Sequence, residues 1–267
     1  MDILLKKYKA KLLSGETSYG LFAKSSDPAF VETSGYAGFD FIVLDMEHGA
    51  VGYENLQNLI RASVLGDIVP IVRVQNFEET FIGKALDAGA LGIQAPQVTS
   101  ADDAKSVIKA SKFYPMGERG VCRFVRAAKY SSLDRVSYFR EANECLVVLQ
   151  VEGQQAISGI DRILAVEGFD ILFIGPYDLS QSLGLPGEVT HSEVIGQMQM
   201  IIDKAKKARK VVGTFADTPS QAKLWCGVGV QYIAYSVDVG IYYEACKNLL
   251  EALSGEKTKK DSEEYIN

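Results

Sequence analysis

Apolar runs of six to eight residues recur along the chain, each followed by a stretch with helical spacing of apolar positions. The runs are SYGLFAK (18–24), FDFIVLD (39–45), VPIVRV (69–74), LGIQAP (91–96), CLVVLQVE (145–152), DILFIG (170–175), KVVGTFA (210–216) and YIAYSV (232–237). Such short, β-branched and aromatic runs predict strands buried on both faces. Stretches such as YENLQNLIRASVLG, EETFIGKALDAG, SADDAKSVIKASK and SQAKLWCGVG predict helices, several stopped by a glycine. Apolar strands each followed by a helix mean a parallel sheet covered by helices, and eight such units fit an α/β chain closed as a (β/α)8 TIM barrel. A doubly wound open sheet is the alternative and would need fewer strands. No Pro/Gly/Ser-rich linker divides the chain, so the expectation is one barrel domain over 1–253 and a polar tail over 254–267 that frays. The longest insertion, 113–144, lies between the fourth and fifth strands and predicts either a functional loop or an extra element.

Composition narrows the partners. With 267 residues, 47% of them hydrophobic, the chain can bury a core that needs no disulfide or structural metal. A formal net charge of −6 argues against nucleic acid, which requires concentrated positive charge. The basic run KKARK is read as a solvated helix face. Cys122, Cys145, Cys226 and Cys246 form no CxxC pair, and the amphipathic start MDILLKKYKAKLL lacks the apolar centre of a signal peptide. No apolar run approaches the roughly 18 residues needed to span a bilayer. These features predict a soluble cytoplasmic protein with reduced thiols and no membrane partner.

Polar side chains collect where the strands end, the end at which barrels of this kind carry their chemistry. The second strand delivers Asp45, Glu47 and His48; the third carries Arg73; the fifth carries Gln150 and Glu152 on one face; the sixth runs into GPYDLS with Asp178. Burying such groups without partners costs roughly 1–3 kcal/mol each, so their clustering is informative. Gln150, Glu152 and Asp178 offer hard oxygen ligands for a divalent cation such as Mg²⁺ or Mn²⁺. Asp178 could equally cap the following helix. Arg73 could neutralise a carboxylate or bind a substrate carboxylate or enolate oxygen. His48 could be a satisfied buried histidine or a general base. Gly175 allows a ligand close to the backbone. The GERG stretch, 117–120, matches neither phosphate-loop nor dinucleotide patterns, and no nucleotide cofactor is expected.

The stretches GFDFIVLDMEHG, PIVRV, KALDAGALGIQAPQV, YPMGERGV, LVVLQVEG, EGFDILFIGPYDLSQSLG and YSVD, in this order from about residue 18 to 250, resemble the HpcH/HpaI aldolase/citrate lyase family. The resemblance is to its class II, metal-dependent pyruvate aldolases, and DxEH, QVE and GP-x-DLS together make it specific. It implies a barrel whose last helix is exchanged between subunits of a homo-oligomer, a hexamer or trimer. It implies Glu152 and Asp178 as ligands of Mg²⁺ or Mn²⁺, with Co²⁺ as another candidate, and Gln150 beside them. It also implies Arg73 on the enolate oxygen, and the Gly175, Pro176 and Tyr177 segment holding the pyruvate carboxylate. By the same resemblance His48 is the acid/base acting through a water on the metal, and Asp45 positions this region. Asp87 matches a family acid that partners the histidine; it lies near the end of a helix, so its role requires a neighbouring subunit.

Two departures from the family bear on the substrate. Tyr177 stands where relatives carry a smaller residue, and Arg123 and Phe124 follow GERGV. The latter two could reshape the mouth and add charge for an acidic aldehyde, or could be loop packing or an oligomer contact. The implied activity is reversible cleavage of a 4-hydroxy-2-keto acid, a diacid or sugar acid, to pyruvate and an aldehyde. Oxaloacetate decarboxylation at the same site and a non-catalytic keto-acid binder are the alternatives. A Schiff-base route has only Lys24 to offer near a strand end.

Overall fold

A computed structural model describes residues 3–151 and 153–255. The chain begins with α1 (Ile3–Leu13), then β1 (Ser18–Ala23), α2 (Pro28–Tyr36), β2 (Phe41–Asp45), α3 (Tyr53–Leu65), β3 (Val69–Arg73) and α4 (Glu79–Asp87). Next come β4 (Gly92–Val98), α5 (Ala101–Ser111), a 3-10 turn (Arg126–Ser131), α6 (Arg135–Ala142) and β5 (Leu146–Val151). After α7 (Gly153–Ser158) and α8 (Ile160–Leu164) follow β6 (Ile171–Ile174), α9 (Pro176–Ser182), α10 (Ser192–Lys207) and β7 (Val211–Ala216). The described chain closes with α11 (Pro219–Val228), β8 (Tyr232–Val237) and α12 (Asp238–Ser254). All strand pairs are parallel, and β8 returns to β1 to close the barrel in the order β1 to β8. The eight expected strands are all present. The tail predicted over 254–267 lies, from residue 256 onward, outside the described residues.

The period of two within each strand sorts side chains between two cores. Ile42, Leu44, Val72, Ile93, Val147 and Leu149 pack outward against the helices. Phe41, Val43, Val69, Ile71, Leu146 and Val148 fill the barrel interior, and Leu5, Tyr8 and Leu12 of α1 join this inner cluster. Asp45, Arg73 and Gln150 each fall in phase with the inward series, two residues beyond Val43, Ile71 and Val148. Strand periodicity therefore aims them at the barrel axis near its C-terminal end. Two bulges modify that end: β4 shifts register between Ala95 and Val98, and β8 shifts against β1 near Ser236. Gln97 and Ser236 take positive φ, 57° and 51°. Bulges of this kind re-aim side chains.

The insertion follows α5 and leads into β5, so it returns to the N-terminal end of the barrel, away from the rim that carries the chemistry. Phe113, Ala128 and Tyr138 form its own small core. Arg126 Nη1 donates to the Ala88 carbonyl at 3.2 Å, tying it to the end of α4. Arg123 Nη2 donates to the carbonyls of Ser131 and Leu133, both at 3.4 Å. Within one chain this favours loop packing over the alternative that Arg123 and Phe124 reshape the mouth, since a connection from helix to strand must close at the opposite end.

Of the 17 residues of α12, only Asp238 is buried. Tyr242, Tyr243, Leu249, Leu250 and Leu253 are exposed. Among the described residues no helix is long and apolar enough to cross a membrane.

Candidate active site at the barrel rim

The centre of the rim is an ion pair across two neighbouring strands. Asp45 and Arg73 are register partners in β2 and β3. Arg73 donates through Nε to Asp45 Oδ1 at 2.9 Å and through Nη2 to Oδ2 at 2.7 Å. Asp45 is fully buried. Burial by itself raises its pKa, but the hydrogen bonds and charge of Arg73 and the amides of His48 and Glu47 outweigh it, so the carboxyl lies below its ordinary value. The guanidinium sits 4.7 Å from the centre of the Phe22 ring, which backs it from the barrel interior. Of its five N–H groups Asp45 takes two, and Nη1 lies 3.2 Å from Glu47 Oε2, so only the rest of the fork is left for a ligand at the rim.

The turn after β2 is held by the same carboxylate. Asp45 Oδ1 accepts from the amides of Glu47 at 3.1 Å and His48 at 3.2 Å. Gly49 completes the turn because a Cβ there would lie 2.2 Å from the Asp45 carbonyl oxygen. Glu47 turns back so that Oε2 is 3.2 Å from Arg73 Nη1 and 3.9 Å from His48 Nε2. The bulged Gln97 donates to Glu47 Oε1 at 3.1 Å. The His48 side chain is 61% exposed, which excludes the reading of a satisfied buried histidine. It stands at the rim with a carboxylate beside it.

Across the mouth, the buried Gln150 of β5 accepts through Oε1 from Gln94 Nε2 at 2.6 Å. Glu152 lies outside the described residues. Beyond β6, Gly175 is the N-cap of α9 and Pro176 its first residue, so Asp178 sits in the first turn and is not the capping residue. A Cβ on Gly175 would lie 2.2 Å from Asp178 Oδ2, so glycine is what lets this carboxylate fold back over the strand end. Asp178 is exposed, with no ion pair or hydrogen bond among the described residues. Tyr177, also exposed, donates its phenol proton to Asp217 Oδ2, the first residue after β7. That hydrogen bond pushes the phenol up to about 12.

Among the described residues no group of three or more His, Cys, Asp or Glu side chains converges as a metal cage. The donors present do suit a hard divalent cation: a carboxylate at Asp178 that pairs with nothing among the described residues, and an amide oxygen at Gln150.

Asp87 ends α4 and accepts from Arg119 Nη2 at 2.6 Å, with Arg119 itself buried. It is not brought near His48 of the same chain. The basic residue of GERG is thus engaged with Asp87 on the far side of the barrel.

Several groups at the rim escaped the sequence reading. Gln94 is a polar residue in an apolar strand, the same signal that pointed to Gln150. Asp217 is a carboxylate at a strand end, as is Asp238 in YSVD. Asp238 is buried and accepts from the amides of Lys24 at 3.0 Å and Ser25 at 2.9 Å, fastening the loop after β1 to the start of α12. Gln97 carried no signal, because only the bulge points it at Glu47.

A family model described as HpcH/HpaI aldolase/citrate lyase matches residues 18–245. A 2-keto-3-deoxy-L-rhamnonate aldolase of Salmonella paratyphi A is 34% identical over 250 residues, covering 93% of this chain and 93% of its own. An HpcH/HpaI aldolase/citrate lyase family protein from Burkholderia cenocepacia J2315 superposes with a TM-score of 0.86 at 32% identity, covering 93% of this chain and 99% of the other. The citrate synthase SbnG superposes with a TM-score of 0.82 at 31% identity, covering 92% and 97%.

Proposed function

This chain belongs to the HpcH/HpaI aldolase/citrate lyase family, and from that premise we propose a class II pyruvate aldolase that cleaves a 4-hydroxy-2-keto acid derived from a sugar acid. The observation that carries the reading is the rim itself. An exposed histidine, a guanidinium fixed by Asp45 and an exposed carboxylate at Asp178 all stand at the C-terminal end of one barrel.

The steps follow from the residues. His48 takes the proton of the 4-hydroxyl, the bond between C3 and C4 breaks, and the aldehyde leaves. The electron pair moves onto the keto oxygen as an enolate, and protonation at C3 then yields pyruvate. Arg73, oriented by Asp45, directs its remaining N–H groups at the developing negative charge, and a fixed donor there lowers the barrier because it needs no reorganisation. Glu47 Oε2 lies 3.9 Å from His48 Nε2 and so borders the group that receives the proton. Asp178 and Gln150, with Glu152 by family resemblance, would hold a divalent cation such as Mg²⁺ or Mn²⁺, which supplies Lewis-acid polarisation of the keto group.

The exposed apolar residues of α12 support its exchange between subunits, as a trimer or hexamer, and Asp87 would then serve a neighbour's site. The four unpaired cysteines suit a reducing compartment, and we place the enzyme in the cytoplasm. Likeness to a citrate synthase supports enolate chemistry that can also run towards bond formation.

The test is pyruvate release from a panel of 4-hydroxy-2-keto acids with Mg²⁺ or Mn²⁺, repeated in EDTA. Release that is lost in EDTA and restored by metal is expected. Full turnover in EDTA overturns the metal route, and no release from any member overturns the aldolase.

A further inference from the structure

We propose that Tyr177 and Asp217 form the wall that selects the aldehyde half of the substrate, favouring a neutral, hydroxylated chain over one that ends in a carboxylate. This rests on the aldolase reading above and names the substrate class of the same site.

The pair joins two adjacent strand ends. β6 and β7 are register partners at Ile174 and Thr214, so the segments that follow them leave the barrel side by side. Tyr177, next to Asp178, and Asp217, directly after β7, meet above that seam through the phenol-to-Oδ2 hydrogen bond. The amide of Asp217 is itself fixed by donating to Gln221 Oε1 at 2.9 Å. Tyr177 stays 45% exposed, so the pair is open to a ligand at this end of the barrel.

The proton inventory decides what this wall can bind. The phenol has a single proton, and it is engaged in the hydrogen bond to Asp217. What remains on offer is the phenol oxygen and Asp217 Oδ1, both acceptors. A hydroxyl on the aldehyde chain can donate to either. A terminal carboxylate has no proton to donate and meets a like charge. The described basic side chains of the strand ends and the loops after them do not offset this. Arg73 is engaged by Asp45 and Glu47, and Lys24 follows β1, two strands away from β7. Within the same chain, Arg123 packs on its own loop at the other end of the barrel.

The experiment compares two 4-hydroxy-2-keto acids of equal length, one with a neutral hydroxylated tail and one with a terminal carboxylate, by pyruvate release with Mg²⁺. In the wild type kcat/KM for the hydroxylated compound is expected to exceed the other by about tenfold or more. Asp217→Asn removes the charge at nearly constant shape and is expected to narrow the ratio about tenfold, chiefly by gain on the carboxylate. Tyr177→Phe removes one acceptor and is expected to narrow it by loss on the hydroxylated compound. The ratio is taken within one preparation, so a change in folded fraction does not move it. Pyruvate release with no preference, or with a ratio unmoved in both variants, overturns the proposal alone. No release from either compound overturns the aldolase reading and this proposal with it.

Discussion

Arg73 and Asp45 meet through two hydrogen bonds, 2.9 and 2.7 Å, because β3 and β2 place them opposite one another in register. We propose that the pair is at once a structural ion pair and the device that orients Arg73 for the chemistry. Arg73→Lys tests the second role, since lysine keeps the charge and loses the planar fork. It is expected to lower kcat by about 100-fold, the scale of one lost transition-state donor. A kcat within a factor of about three of wild type, in a steady-state assay, would remove Arg73 from the chemistry.

Asp45→Asn tests the structural role, and its effect depends on pH. The folded carboxyl lies below its ordinary value of 3.8, so the native state favours the ionised form. That contribution is fully present above the unfolded pKa and is lost as pH falls through the lowered folded one. At neutral pH the variant leaves the buried Arg73 with Glu47 as its remaining carboxylate, at a cost of about 3 kcal/mol. Urea unfolding of both proteins should show that difference intact near neutrality and shrinking below about pH 4. A difference independent of pH would show that the Asp45 charge is not what stabilises the fold.

Gly49 faces the Asp45 carbonyl oxygen where a Cβ would sit at 2.2 Å. Because that neighbour is backbone, Gly49→Ala must shift the turn that carries Glu47 and His48. A loss of about 1–3 kcal/mol in stability and a fall in kcat are expected together. Unchanged melting and activity would mean the turn has more room than this geometry allows.

Gly175→Ala makes a contrasting case. Its Cβ would meet the Asp178 carboxylate, a side-chain end that can swing away. Stability should change little, while Mn²⁺ affinity, followed by the paramagnetic resonance signal of the free ion, should fall about tenfold. Equal affinity in the two proteins would dissociate Asp178 from the metal.

His48→Ala separates two reactions at one site. Aldol cleavage needs a base for the 4-hydroxyl, so about a thousandfold loss is expected. Oxaloacetate decarboxylation breaks its bond without that proton transfer and should be far less affected. Parallel losses in both would assign His48 to binding.

The strand pattern alone located all eight strands, and the inward phase of Asp45, Arg73 and Gln150 was legible because alternation is a property of the backbone over two residues. The motifs around His48 and Asp178 were legible for the same reason: each is a contiguous stretch. Gln94 carries the same signal as Gln150, a polar residue in an apolar strand, and Asp217 stands at a strand end, but neither position by itself names a partner. The side of the barrel on which Arg123 lies followed from one fact of connectivity, that its loop comes after a helix.

By itself, then, the sequence determined the repeating units, their period and the residues that terminate each strand, since these depend on neighbours along the chain. Tertiary structure alone decided which terminal groups touch. Arg73 on Asp45, Gln94 on Gln150, Gln97 on Glu47 and Tyr177 on Asp217 are contacts between separate strand ends or the loops that follow them. Their geometry depends on register, bulges and barrel closure, which bring together residues that local periodicity treats independently.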